Sequence, residues 1–171
     1  LLVTAGASRL ERYWQPRFLE RQAPRFDQAV EQIRALAMDS VKRRMISDVP
    51  LGGFLSGGVD SSAVAACMAT QAPEKIKTFS IGFTVQQFDE LEYARLVAQR
   101  YQTEHHEQVV TPSIHDMLET LAWHFDEPFG DASAIPTLYL ARMTRQHVTV
   151  ALCGDGADEL FAGYRRYHHG A

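Results

Sequence analysis

Cysteine is scarce: only Cys67 and Cys153 occur in 171 residues, each inside an apolar stretch. Thiols in such settings are commonly small buried hydrophobes, so the sequence predicts two free cysteines and no disulfide framework. Long apolar runs are also missing. None approaches the ~20 residues that span a bilayer, and the first residues lack the charged and hydrophobic regions of an export signal. These absences predict a cytoplasmic protein with no membrane partner. A basic face is missing too, since residues 1–50 hold nine Lys/Arg against six Asp/Glu and residues 51–171 hold eight against fifteen. Such a surface does not neutralise a nucleic-acid backbone, so no nucleic-acid partner is expected. A polyanionic ligand of the acidic portion would need metal cations beside it. No methionine precedes Leu1, which predicts a piece of a longer protein.

With 46% apolar and 22% charged residues, the chain is long and apolar enough for one sizeable core and is no disordered tail. Residues 1–25 carry Tyr13, Trp14 and Phe18 in no clear period and read as a lead-in or linker, partly ordered by its aromatics. Residues 26–171 read as the domain proper. Val30, Ile33, Ala37, Val41 and Met45 recur at helical steps until Asp48 and Pro50 end the stripe.

A short apolar run, Leu51 to Leu55, then meets a glycine turn and an Ala-rich helix. Lys75 to Phe83 alternates as a strand, Asp89 to Tyr101 places Leu91, Ala94, Ala98 and Tyr101 on one helical face, and Glu104 to Val110 is a weaker strand. Thr111 as N-cap and Pro112 at the first helical position introduce a helix with Ile114, Met117, Leu118, Leu121, Ala122 and Phe125. Another helix is predicted from Pro136 to about Arg145, then a strand from Val148 to Cys153 and a helix at Ala157. Strands alternating with helices predict an α/β domain, a parallel sheet with crossover helices, whose ligands sit at the carboxyl ends of the strands.

The string Ser56-Gly57-Gly58-Val59-Asp60-Ser61-Ser62 follows the first of these strands. Adjacent glycines let the backbone approach an anion, helix-start N–H groups point at it, and the serines add hydroxyl donors. A bare Gly-Gly is equally a tight turn with a serine N-cap; the complete string after a strand favours a phosphate cradle. No lysine occurs between Arg44 and Lys75, so it is not the common P-loop, and adjacent glycines rule out G-x-G-x-x-G. Asp60 would repel phosphate unless a divalent cation lay between them, which predicts Mg²⁺.

Cys153-Gly154-Asp155-Gly156-Ala157-Asp158-Glu159 repeats the arrangement after a later strand. Asp155 and Asp158 serve either as first-turn acids that complement a helix dipole or, with Asp60, as hard oxygen donors around Mg²⁺ and phosphate. Acids at both turns favour the metal. His105 and His106 are consecutive on a strand and point to opposite faces, so they cannot share a metal. His168 and His169 end the chain. Asp126, Glu127 and Asp131 frame a proline-containing loop, a solvated turn or a pocket rim.

In this order, SGGVDSS, FSIGF, DEPFGDASAIPT and GDGADELFAGYRRY resemble the synthetase domain of the glutamine-hydrolysing asparagine synthetase family, from about Tyr13 to Tyr167. The resemblance implies an adenine-nucleotide α-hydrolase-like fold of the ATP pyrophosphatase (PP-loop) type, incomplete at the carboxyl terminus. It implies that Ser56, Gly57, Gly58, Asp60 and Ser61 bind the pyrophosphate part of ATP, and that the backbone at Leu55, Ile81, Cys153 and Gly154 holds the adenosine. Asp60 and Asp158 would be the Mg²⁺ ligands, and Asp155 the catalytic acid beside the reacting carboxylate.

The activity so implied is that of an ATP-dependent amide-forming ligase: a carboxylate, aspartate first, is adenylated with release of pyrophosphate, and ammonia then gives asparagine. Its partners would be ATP, aspartate or a related carboxylate, ammonia, a glutaminase domain in the full-length chain, and a second subunit in a homodimer. The glutaminase domain, the carboxyl-terminal part and a family lysine are expected to lie outside this chain, leaving it able to bind nucleotide and inactive alone. Many members carry Ser and Glu where Cys153 and Asp155 stand; the shorter acid draws its carboxylate back by about 1.5 Å. The alternatives are another adenylating amidotransferase or β-lactam-forming ligase of this group, and a non-catalytic nucleotide-binding module.

Overall fold

In the computed structural model, residues 1–15, 24–84, 90–111 and 113–168 are described. Phe18, Asp89, Pro112, His169 and the side chain of Ile114 lie outside them. Contacts group the chain into two units, Leu1–Ile33 and Arg34–Ala171.

Within the segment read as a lead-in or linker, the first unit carries a small hairpin. Strands β1 (Leu2–Thr4) and β2 (Ala7–Arg9) form an antiparallel hairpin turned at Gly6, whose φ is +92°. Three-residue strands with both faces exposed leave no apolar alternation to read. Of the aromatics expected to order this segment, Tyr13 and Trp14 are exposed, and Phe18 lies outside the described residues.

The second unit realises the predicted strand–helix alternation. Helix α1 (Phe26–Arg44), whose residues up to Ile33 are grouped with the first unit, precedes β3 (Leu51–Phe54), α2 (Val59–Gln71), β4 (Lys77–Phe83), α3 (Leu91–Tyr101) and β5 (Glu104–Val110). Helices α4 (Ile114–Phe125) and α5 (Ala134–Thr144) then lead to β6 (Val150–Leu152), α6 (Ala157–Phe161) and α7 (Arg165–His168). Four strands pair in the order β5-β4-β3-β6, all parallel, with Phe54 opposite Phe79 and Gly53 opposite Leu152.

Consecutive strand residues point to opposite faces of the sheet, and the core divides accordingly. Leu55 packs with Ala65 of α2 and with Ala94 and Ala98 of α3, whereas Phe79 packs with Met143 of α5 and Val148, joined by Phe54, Ile81 and Leu140. Helix α1 enters through Val41, which meets Met68 and Ile76. Its predicted stripe is only partly used, because Val30 and Ile33 remain exposed. In α4 Met117 is buried and Leu118 exposed.

The paired histidines separate as the strand period requires: His105 Nδ1 hydrogen-bonds with the Thr78 hydroxyl, and His106 stacks on Phe79 and His147. Both cysteines are free thiols. Among the described residues no helix is long and apolar enough to cross a membrane.

Candidate functional site

The strand order places the site. From β3 the chain winds outward through β4 to β5, then returns to the other side of β3 as β6. Crossovers on the two sides of β3 diverge, and the loops leaving β3 and β6 open a crevice at the carboxyl edge between them. These are the two loops that carry the glycine and aspartate strings. A cleft of about 660 Å³ lies there, within the range of ~300–1,000 Å³ usual for small-ligand sites.

The first loop holds itself by serine hydroxyls. Ser56 Oγ accepts the Gly58 N–H at 3.2 Å and lies 2.9 Å from Ser61 Oγ, which accepts the Ser56 N–H at 3.2 Å. Helix α2 follows with Gly58 as its N-cap and no side-chain capping bond. Its first-turn N–H groups and their partial positive charge are therefore open to an external anion.

Gly57 is required by conformation and space. Its φ is +86°, and a Cβ there would stand 2.6 Å from Ala94 N in α3. It is not part of the cleft wall; it seats the loop against α3 while its neighbours line the cleft. Gly57→Ala is expected to cost at least about 2 kcal/mol, from left-handed strain plus the clash with backbone. The fall in the urea unfolding midpoint measures it, and a midpoint equal to wild type would refute this packing role.

The two loops touch. A Cβ at Gly154 would stand 2.9 Å from Asp60 Cβ and 3.0 Å from Ser61 N, so the turn after β6 presses its backbone onto the start of α2. Of the residues singled out in the sequence, Leu55, Ser56, Gly58, Asp60, Ser61 and Ile81 line the cleft, joined by Cys153, Gly154, Asp155 and Asp158. Leu55 is already committed at both backbone atoms: its N–H donates to Phe79 O at 2.9 Å, and its carbonyl accepts from the buried Ser80 hydroxyl. Only the second lone pair of that carbonyl is left for a ligand. Burial pushes the Cys153 thiol up, with the Asp155 N–H pulling the other way.

Among the described residues six carboxylates line the cleft, Asp60, Glu90, Asp131, Asp155, Asp158 and Glu159, and no Lys or Arg does. Three are held by their own chain. Asp131 accepts the Ser133 N–H at 2.8 Å, which holds its carboxyl below the usual range. Asp155 hydrogen-bonds with Cys153. Glu159 accepts the Tyr164 hydroxyl at 2.8 Å, lowering the acid and raising the phenol. The carboxylates of Asp60, Glu90 and Asp158 have no hydrogen bond or ion pair among the described residues.

Asp60, Asp155 and Asp158 share the cleft, yet no group of three or more His, Cys, Asp or Glu among the described residues forms a metal cage. That donor set suits Mg²⁺, which keeps several waters and takes one or two carboxylates plus phosphate oxygens. Asp126 and Glu127 are not on the wall, whereas Asp131 is. Glu90, Ser133, Thr137 and Tyr164 also line the cleft without having been singled out individually. Ser133, Thr137 and Tyr164 fall inside the strings DEPFGDASAIPT and GDGADELFAGYRRY, whereas Glu90 falls in neither.

Residues 32–171 match the family model described as asparagine synthase. The chain is 44% identical over 142 residues to asparagine synthetase (glutamine-hydrolyzing) 1 of Bacillus subtilis, covering 82% of this chain and 22% of that protein. It is 41% identical over 162 residues to putative asparagine synthetase (glutamine-hydrolyzing) 2 of Methanocaldococcus jannaschii, covering 92% and 31%. The chain thus spans less than a third of the length of these relatives. Among solved structures, NH3-dependent NAD synthetase from Campylobacter jejuni superposes with a TM-score of 0.50 at 17% identity, over 78% of this chain and 60% of that one. That likeness bears out the expected parallel sheet of the adenine-nucleotide α-hydrolase type.

Proposed function

Because the chain belongs to the asparagine synthase family, we propose that its cleft holds Mg-ATP and activates a carboxylate for amidation, aspartate being the first candidate. One observation carries the reading: Gly154 packs against Asp60 and Ser61, so the uncapped start of α2 and the acidic turn after β6 face one cleft. Open N–H groups there receive the terminal phosphates, while Asp60 and Asp158 hold Mg²⁺. Magnesium, when bound, neutralises charge on the pyrophosphate leaving group.

Ser56, Ser61 and the α2 amides grip the β- and γ-phosphates and leave the α-phosphorus exposed. A substrate carboxylate oxygen bonds to that phosphorus as the bond to pyrophosphate breaks. Ammonia then bonds to the acyl carbon, the bond to AMP breaks, and the nitrogen loses a proton to give the amide. Asp155, held by Cys153, stands at the acyl end. The donors are fixed before the reaction begins, so they stabilise developing charge without reorganising.

A cleft lined, among the described residues, by six carboxylates and no basic side chain repels metal-free ATP. The test is pyrophosphate release by the full-length protein containing this chain, with ATP, ammonia and a panel of carboxylic acids, with and without Mg²⁺. Release is expected only with Mg²⁺ and is expected to rise with aspartate. Stimulation by a different acid, with none by aspartate, removes the asparagine assignment and keeps adenylation, pointing to another amidating or lactam-forming ligase. Nucleotide binding with no release under any acid favours a non-catalytic module.

A further inference from the structure

Of the three cleft carboxylates without a side-chain partner among the described residues, Asp60 and Asp158 are used by the proposed magnesium site, and Glu90 is left. The Glu90 carbonyl accepts the Tyr93 and Ala94 N–H groups at 3.1 and 3.2 Å, opening α3, and Leu91 and Ala94 beneath it are buried. Glu90 is exposed and shares the cleft lining with the apolar Ile81 and Phe83 of β4 and Leu91 and Ala94 of α3. Apolar walls take the flat, uncharged part of a ligand. A carboxylate on such a wall loses hydration when a ligand enters, a cost offset only by a hydrogen bond or a cation.

We propose that Glu90 reads the adenosine half of the nucleotide, accepting a hydrogen bond from one of its donors. The inference rests on the Mg-ATP reading above. The phosphates of ATP are all acceptors and would repel this carboxylate. Donors occur only on adenosine, at the 6-amino group and the ribose 2′- and 3′-hydroxyls. Toward the nucleotide, an acceptor on this wall therefore has one useful role. It discriminates by leaving itself desolvated and unpaired when the donor is absent, which is how polar sites reject close analogues.

The test is titration calorimetry of the full chain with the Mg²⁺ complexes of ATP, 2′-deoxy-ATP, 3′-deoxy-ATP and purine-riboside triphosphate, which lacks the 6-amino group. Wild type is expected to prefer ATP over at least one analogue by about tenfold or more, the scale of a hydrogen bond to a charged group. The analogue that suffers identifies the donor. Glu90→Ala is expected to bring that ratio close to one, and Glu90→Gln, which keeps an acceptor oxygen, to retain part of it. Both variants should melt as wild type does, since the carboxylate has no partner among the described residues. Retention of every preference in Glu90→Ala, no preference in wild type, or a change only in Mg²⁺ dependence overturns the assignment. Failure of wild type to bind Mg-ATP at all overturns the nucleotide reading and this one with it.

Discussion

Asp60→Asn is expected to lower pyrophosphate release by about a hundredfold or more, the scale set by removing one preorganised charge-stabilising group from an active site. Asn keeps the size and one acceptor oxygen of Asp60 but no charge, so packing against Gly154 is unaffected. What is lost is the anionic ligand that lets a divalent ion sit between two negative partners. Asp158→Asn is expected to act in the same direction, because its carboxylate is the other unpartnered acid of these two turns. Raising Mg²⁺ should restore part of the activity in either variant. Release and Mg-ATP affinity equal to wild type in Asp60→Asn would contradict the magnesium role and favour a non-catalytic module.

Phe79→Ala is expected to cost about 3–5 kcal/mol of stability, from lost transfer energy and the cavity left behind. Phe79 is 0% exposed and sits on the second strand of the sheet, where its ring meets Met143, Val148, Phe54 and His106. Its backbone carbonyl also holds the Leu55 N–H at the floor of the cleft. A loss of that size approaches the whole stability of a marginal domain, usually about 5–15 kcal/mol, so the variant should unfold at far lower urea than wild type. Phe79→Leu, which refills much of the volume, should lose considerably less. A cost below about 1 kcal/mol for the alanine variant would show that the ring is not a pillar of this core.

These expectations draw on two kinds of information. Local pattern was sufficient for β5, whose predicted and observed bounds coincide at Glu104–Val110, and for α2 after its glycine loop. It was less sufficient where tertiary contacts trim an element. β6 is confined to Val150–Leu152 because its pairing with β3 runs only from Leu51 to Gly53, and Val148, predicted as strand, is buried in a turn beside Phe79. Helix α5 begins at Ala134, ahead of Pro136, which sits in the first turn where its missing N–H costs nothing. The hairpin of Leu2–Arg9 had no legible signal, since its short strands bury neither face.

The chemistry of the candidate site was legible because it is written in two short strings, each read as a strand turning into a helix through glycine and acid. Glycine, serine and aspartate at fixed offsets carry their physical meaning wherever the fold places them. Tertiary structure alone decided that the strings meet, since residues near 57 and 155 are distant in sequence and become neighbours only when β6 returns beside β3. It alone also brought Glu90, Asp131 and Tyr164 to the cleft, and showed which carboxylates are already bonded and which are open. Local residue types determine what a group is able to bind; pairing order and packing determine what stands opposite it.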